Sequence, residues 1–228
     1  MAEGDSDKRD VSIEDAVVET GCGRSLTKRL RALNNRWLQL VSYQQEHVVS
    51  WAKPDIFQVE PTNHCNLKCP MCPHDLMTRE LGFMDLDLYR QAIDQVCDYS
   101  ASVRLHNMGE SLFHKRIDEF VKYARAAGIR TTLSTNASAL TRRAGERILD
   151  AGLDSLLVSF DGTSKETYEY FRAGARYEQV LAKIEEFLAL RERHASQRTR
   201  VTMSLINMPM TRSEIQTFKR RWEKRVDA

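Results

Sequence analysis

From Pro54 onward the chain repeats one pattern: a short apolar run, then a longer stretch with apolar residues at helical spacing. The short runs are Ile56–Glu60, Val103–His106, Arg130–Ser134, Ser155–Phe160 and Val201–Ile206, and each reads as a strand. The first amphipathic stretch, Asp85–Tyr99, carries Leu86, Tyr89, Ile93, Val96 and Cys97 on one face. The second turns Ile117, Phe120, Val121 and Ala124 inward and is closed by Gly128. A third ends at Gly152, helical segments run on through Leu190 from a Thr163-Ser-Lys-Glu166 capping box, and Thr211-Arg-Ser-Glu214 caps a last helix with Ile215, Phe218 and Trp222 inward. Alternation of this kind specifies an α/β fold with a parallel sheet and crossover helices. Ligands of such sheets gather at the carboxyl ends of the strands.

A chain of 228 residues is long enough to bury a substantial core in one domain. Residues 1–23 are polar and charged, as a mobile tail would be. Residues 24–53 hold a helical segment in which Leu26, Leu30, Leu33, Trp37, Leu40 and Val41 recur at helical spacing. This helix is expected to cap the bottom of the main domain, residues 54–228. The formal net charge of +2 gives no support to nucleic acid or a membrane surface as partner. No signal-peptide core and no apolar run near 20 residues is present. An odd number of cysteines, five, fits a reducing compartment. The expected location is the cytoplasm.

Three of those cysteines, Cys65, Cys69 and Cys72, stand within eight residues in the run Glu60-Pro-Thr-Asn-His-Cys-Asn-Leu-Lys-Cys-Pro-Met-Cys-Pro-His74, just after the first strand. A [4Fe–4S] cluster takes four cysteine ligands, so a loop that offers three leaves one iron open to a small molecule. The competing reading is a structural zinc site completed by His64 or His74. Zinc sites usually draw on a second, distant pair of ligands. The other two cysteines, Cys22 and Cys97, stand singly, and Cys97 falls on the apolar stripe of a helix, where a small buried hydrophobe is expected.

The C-x3-C-x2-C spacing after a strand resembles the cluster loop of the radical S-adenosylmethionine (radical SAM) enzymes, and the likeness covers about Ile56 to Trp222. It implies a partial (β/α) barrel with a [4Fe–4S] cluster on Cys65, Cys69 and Cys72. It also implies S-adenosylmethionine (SAM) on the fourth iron, reductive cleavage to a 5′-deoxyadenosyl radical, and an electron donor such as flavodoxin or ferredoxin. Met71 stands where the family often has an aromatic residue near the adenine, and a thioether can still pack on a ring.

Three further segments carry the likeness. Gly109 and Glu110, in Asn107-Met-Gly-Glu-Ser-Leu-Phe-His114, resemble the Gly-Gly-Glu-Pro segment that holds the SAM amino group, with Met108 and Ser111 at the two departures. The bland alternative for Glu110 is a solvated loop carboxylate. Thr132–Ala137 resembles the third-strand end, commonly Thr-Asn-Gly, beside the SAM carboxylate and ribose. It offers Ser134 and Asn136 as donors, although Asn also favours turns for local reasons. Ser159-Phe-Asp-Gly162 and the sequence on to Arg172 resemble the fourth strand of the SPASM/twitch subgroup. Ser159 would face SAM, while Asp161 has a structural explanation in its Asp-Gly turn.

Members of that subgroup act on peptides, proteins, sugars and amino-alcohols, so the implied substrate is a peptide, sugar or other natural product. The family core has six strands, five are countable here, and no cysteine-rich extension follows them. The expectation is a C-terminally truncated core whose fifth strand leaves its edge unpaired. A zinc-binding structural module and a catalytically silent relative that binds partners remain as alternatives.

Overall fold

The computed structural model describes residues 26–194 and 199–228; the polar tail and Cys22 lie outside them. Five strands, β1 (Ile56–Val59), β2 (Ser102–Leu105), β3 (Arg130–Thr135), β4 (Ser155–Ser159) and β5 (Arg200–Ser204), form one sheet in chain order. Every neighbouring pair is parallel, with registers such as Phe57 opposite Val103, Arg104 opposite Thr132, Leu133 opposite Leu156 and Val158 opposite Met203. Parallel neighbours in chain order require crossovers. α2 (Leu86–Val96), α3 (Ile117–Ala126), α4 (Arg142–Asp150) and the pair α5 (Lys165–Phe171) and α6 (Tyr177–Arg193) supply them. The result is the wall of an open (β/α) barrel.

Alternation along each strand decides which side is dry. Val59, Val103, Leu105, Leu133, Leu156, Val158, Val201 and Met203 are buried, together with Ile93, Phe120, Ile148 and Ile184 of the helices, in one core cluster. The intervening residues, among them Arg104, Thr132, Ser134, Ser159 and Ser204, stand on the concave face and keep some exposure. Parallel sheets with both faces covered read as continuous apolar runs. Here the polar alternate positions mark a face built to meet something other than core.

Local signals set the element ends. Asp85 caps α2, its carboxylate accepting from Asp87 N at 2.8 Å, and Thr141 caps α4 through Ala144 N. Gly128 and Gly152 take φ of +72° and +78° just after α3 and α4, the left-handed step that a helix C-terminus needs. The two expected capping boxes are built differently. α5 is capped by Ser164 and not by Thr163, while Thr163 and Ser164 both donate to the Glu214 carboxylate. Thr211 turns its hydroxyl to the Ile206 carbonyl, and a 3-10 turn at Arg212–Glu214 leads into α7 (Ile215–Trp222). Glu214 therefore ties the start of α7 to the start of α5, a long-range contact that local spacing cannot reveal.

Three expectations need correction. α1 (Leu26–Gln44) forms and meets the domain at Asp98 and at Asp55 just before β1, through Arg31 and Arg36, but its apolar series does not make the contact. Among the described side chains of that helix Asn35 and Ser42 are the buried ones, and Leu30, Leu33, Trp37 and Leu40 are exposed. The reason is on the opposite side of the helix, where Asn35 exchanges hydrogen bonds with the Lys53 backbone of the following loop at 2.7 and 2.8 Å and Arg31 pairs with Asp98 of the domain. The β5 edge is not bare either. Asp227 N donates to Val201 O and Met203 N donates to Ala228 O, both at 2.9 Å. Lastly, Cys97 is buried in the core as its place on the apolar stripe implies, but it does not stand singly, being disulfide-bonded.

Candidate active site

The carboxyl ends of the strands surround a cleft of about 290 Å³. Its walls include Cys65, Cys69 and Cys72 from the loop after β1, Gly109 and Glu110 from the loop after β2, Ser134 and Asn136 at the end of β3, and Ser159 at the end of β4. Four segments far apart in sequence thus converge, as the parallel topology requires of strand ends on one rim.

The cysteine loop is fastened on both sides. At its start, the Asn63 side chain bridges Glu80 O and Gly82 N at 2.8 and 2.7 Å, and the Thr62 hydroxyl donates to Gly82 O at 2.7 Å. At its middle, Lys68 N donates to Ala173 O at 2.9 Å, Leu67 is buried, and Asn66 Oδ1 accepts from the Ser138 hydroxyl at 2.9 Å. Between these anchors the three thiols stay free and partly exposed. Burial pushes the Cys65 and Cys69 thiols above the usual range, and the Arg172 guanidinium pulls Cys69 back toward it. Metal ligation needs thiolates, so loading this loop releases protons.

Two N–H donors approach those sulfurs. Asn136 Nδ2 lies 3.8 Å from Cys65 Sγ, and Arg172 Nη1 lies 3.8 Å from Cys69 Sγ. Hydrogen bonds and positive charge at ligand sulfurs set the reduction potential of an iron–sulfur centre. Arg172 is in turn held by Asp161, whose side chain is fully buried and whose other oxygen accepts from Ile206 N at 2.7 Å. Asp161 is therefore occupied on both oxygens by the fold. Arg172 was legible only as the last residue of a motif, and its place beside Cys69 comes from the turn that ends α5.

The donor chemistry suits a cubane better than a single zinc. Three free thiols on one loop fit three corners of a cubane, whereas a structural zinc would need a fourth ligand beside them. Of the two candidate fourth ligands, His74 spends its Nε2 on the Asn63 carbonyl at 2.8 Å, and the His64 ring stacks on Phe83 at 4.6 Å.

Gly109 is fixed by sterics. A Cβ there would stand 2.1 Å from Thr62 O and 2.7 Å from Asn63 Cα, backbone atoms that cannot swing aside. This contact, with Glu110 N donating to His64 O at 2.8 Å, locks the second loop against the cysteine loop. Gly109→Ala is expected to cost about 1–3 kcal/mol, measured as a lower denaturation midpoint with an unchanged slope. A wild-type midpoint would mean that the two loops are free to separate.

Glu110 is not the solvated loop carboxylate of the bland reading. It is 2 % exposed. Its Oε1 accepts from the Thr135 hydroxyl at 2.8 Å and Leu112 N at 3.1 Å, and its Oε2 accepts from Asn136 N at 2.7 Å. Burial raises its pKa while these donors oppose the rise. The carboxylate therefore braces the end of β3, and the turn it braces is tight. Ala137, where the resembling segment commonly has glycine, takes φ of +60°, a conformation that costs an L-residue about 1–2 kcal/mol.

One cleft residue carried no sequence signal beyond its place at the end of a strand. His106 lines the cleft, and its Nδ1 has no hydrogen-bond partner among the described residues. Burial lowers its pKa, so the ring stands neutral at pH 7.

Comparison with known proteins gives this geometry a context. The family model described as "Radical SAM superfamily" matches residues 59–220. An "AdoMet-dependent heme synthase" of Methanosarcina barkeri is 33% identical over 135 residues, 58% of this chain and 38% of that protein. A "GTP 3',8-cyclase" of Chlorobaculum tepidum is 27% identical over 136 residues, 59% of this chain and 41% of that protein. The chain thus spans less than half the length of these relatives. Among solved structures, Streptococcus suis SuiB bound to S-adenosylmethionine superposes with a TM-score of 0.61 at 17% identity, over 82% of this chain and 42% of that one. That likeness speaks to the fold, a partial barrel of five parallel strands.

Proposed function

Because the chain belongs to the radical SAM superfamily, whose members work with a [4Fe–4S] cluster and SAM, we propose that Cys65, Cys69 and Cys72 hold three irons of such a cluster and leave the fourth for SAM. The observation that carries this is the convergence of three free thiols with Gly109, Glu110, Ser134, Asn136 and Ser159 around one cleft. When bound, cluster and SAM supply an electron and a 5′-deoxyadenosyl radical that takes a hydrogen atom from substrate; the protein binds, orients and shields.

Each rim residue then has a task set by its chemistry. The Gly109 backbone and the Glu110 carboxylate offer acceptors to the methionine ammonium. Ser134, Asn136 and Ser159 offer donors and acceptors to the carboxylate and ribose hydroxyls. Met71, Leu67 and Ile206 line the same cleft and keep water from the reacting centre, which a radical that attacks C–H bonds requires. Asn136 and Arg172 hold N–H groups toward the ligand sulfurs.

Within the superfamily, Ser159-Phe-Asp-Gly162 followed by Arg172 supports the SPASM/twitch subgroup, and with it a peptide, sugar or other natural-product substrate. The electron would come from a small carrier such as flavodoxin or ferredoxin. Anaerobic reconstitution tests the cofactor assignment directly: about four irons and four sulfides per chain are expected, and stoichiometric zinc without sulfide would replace this reading with the structural module.

Glu110→Gln separates direct contact from bracing. Loss of a charged acceptor, at about 1.5–3 kcal/mol, lowers SAM affinity roughly ten- to a hundredfold while iron content stays at the wild-type level. A variant that is less stable but binds SAM with unchanged affinity would leave Glu110 as a brace alone.

A further inference from the structure

α1 is put together the opposite way round from an ordinary surface helix. Its polar side is covered by the loop that follows it, where Asn35 bonds the Lys53 backbone and the Ser42 hydroxyl accepts from Trp51 N, and Arg31 pairs with Asp98 of the domain. Its apolar series points away, with Leu26, Leu30, Leu33, Trp37 and Leu40 exposed by 72, 57, 62, 60 and 62%. Apolar exposure continues past the helix end at Val48, Val49 and Trp51, exposed by 101, 76 and 63%. Scattered apolar residues on a surface need no explanation, but a continuous row of this kind marks an interaction site.

Charge indicates the occupant. Leu26–Gln44 contains Lys28, Arg29, Arg31 and Arg36 and not one acidic residue. Arg31 is engaged by Asp98, and Arg36, beside the apolar row, is 66% exposed with Asp55 4.0 Å away. A second copy of the helix would set cations against cations with no carboxylate on either helix to pair with them. Leucine and tryptophan on one face with lysine and arginine beside them is the composition of helices that lie in the headgroup region of a bilayer, and Trp and Tyr favour that boundary.

We propose that α1 lies on an anionic lipid surface, inserting Leu30, Leu33, Trp37 and Leu40 while the exposed Arg36 beside them meets the headgroups. The helix docks and does not span, since no helix among the described residues is long and apolar enough to cross a membrane. The overall charge of +2, which gave no sign of such a partner, is an average that conceals a wholly cationic helix. Such docking would hold the domain at a surface without altering the cleft.

Co-sedimentation of the whole chain with phosphatidylcholine vesicles, with and without phosphatidylglycerol, tests this. Binding should be at least roughly tenfold tighter to the anionic vesicles and should weaken as salt rises. Leu33→Glu/Trp37→Glu should lower it by about tenfold or more with an unchanged melting curve, since both side chains are exposed. Wild-type protein that ignores anionic vesicles, or a variant that binds them equally well, overturns the proposal. So does a wild-type dimer in sedimentation equilibrium that fails to bind vesicles and is split by the same variant, which would make the stripe a seam between copies.

Discussion

Alanine at Cys65, Cys69 or Cys72, one at a time, is expected to abolish stable [4Fe–4S] assembly and all SAM cleavage, whereas alanine at Cys97 leaves iron and sulfide at the wild-type level. The three thiols belong to one loop that is fastened by Asn63, Lys68 and Asn66. Losing one corner therefore leaves no neighbouring cysteine able to move in. Cys97 lies in the core at the end of α2 and is already bonded in a disulfide. Its loss is a matter of stability, not of cluster ligation. The measurement is iron and sulfide content with the visible spectrum after anaerobic reconstitution. Full cluster content in Cys69→Ala, or loss of the cluster in Cys97→Ala, would sink the assignment.

The same loop shows what a sequence can and cannot disclose. Thiol spacing is a local property, so three ligands are readable from eight residues. Strand alternation is local too, and for that reason β1 to β5 fall within one or two residues of their expected ends. Arg172 beside Cys69 and Glu214 across to Thr163 are contacts over 103 and 51 residues, decided by where the crossovers bring the chain back. Local rules could not choose between Thr163 and Ser164 as the cap of α5, because the competitor for Thr163 was a carboxylate on another element.

α1 was misjudged for a different physical reason. Periodicity identifies an apolar face but not what covers it. In α1 the side that is covered carries Asn35 and Ser42, bonded to Lys53 and Trp51 of the following loop, and the apolar row is left outward. Glu110 shows the converse. Its loop position suggested exposure, and only the assembled rim reveals a carboxylate enclosed by Thr135, Leu112 and Asn136.

Asp161→Ala should be among the most destabilising substitutions at the rim. The side chain is fully buried, Arg172 opposite it is 13% exposed, and removing one member of a buried pair strands the other charge at about 3–5 kcal/mol. In a domain of this size that lowers the melting temperature by roughly 10 °C. The variant also loses the contact to Ile206 N and frees Arg172 from its place by Cys69, so the cluster should become more labile to air and chelator. The cost arises chiefly from the stranded cation, hence Asp161→Ala/Arg172→Met should recover much of the melting temperature while the cluster remains labile. Equal melting of the single and double variants would show that solvent reaches Arg172 once Asp161 is gone and that the pair is not the strut between the β4 loop and the end of α5. A double variant whose cluster is as durable as the wild type would show that the guanidinium beside Cys69 does nothing for the ligand sulfur.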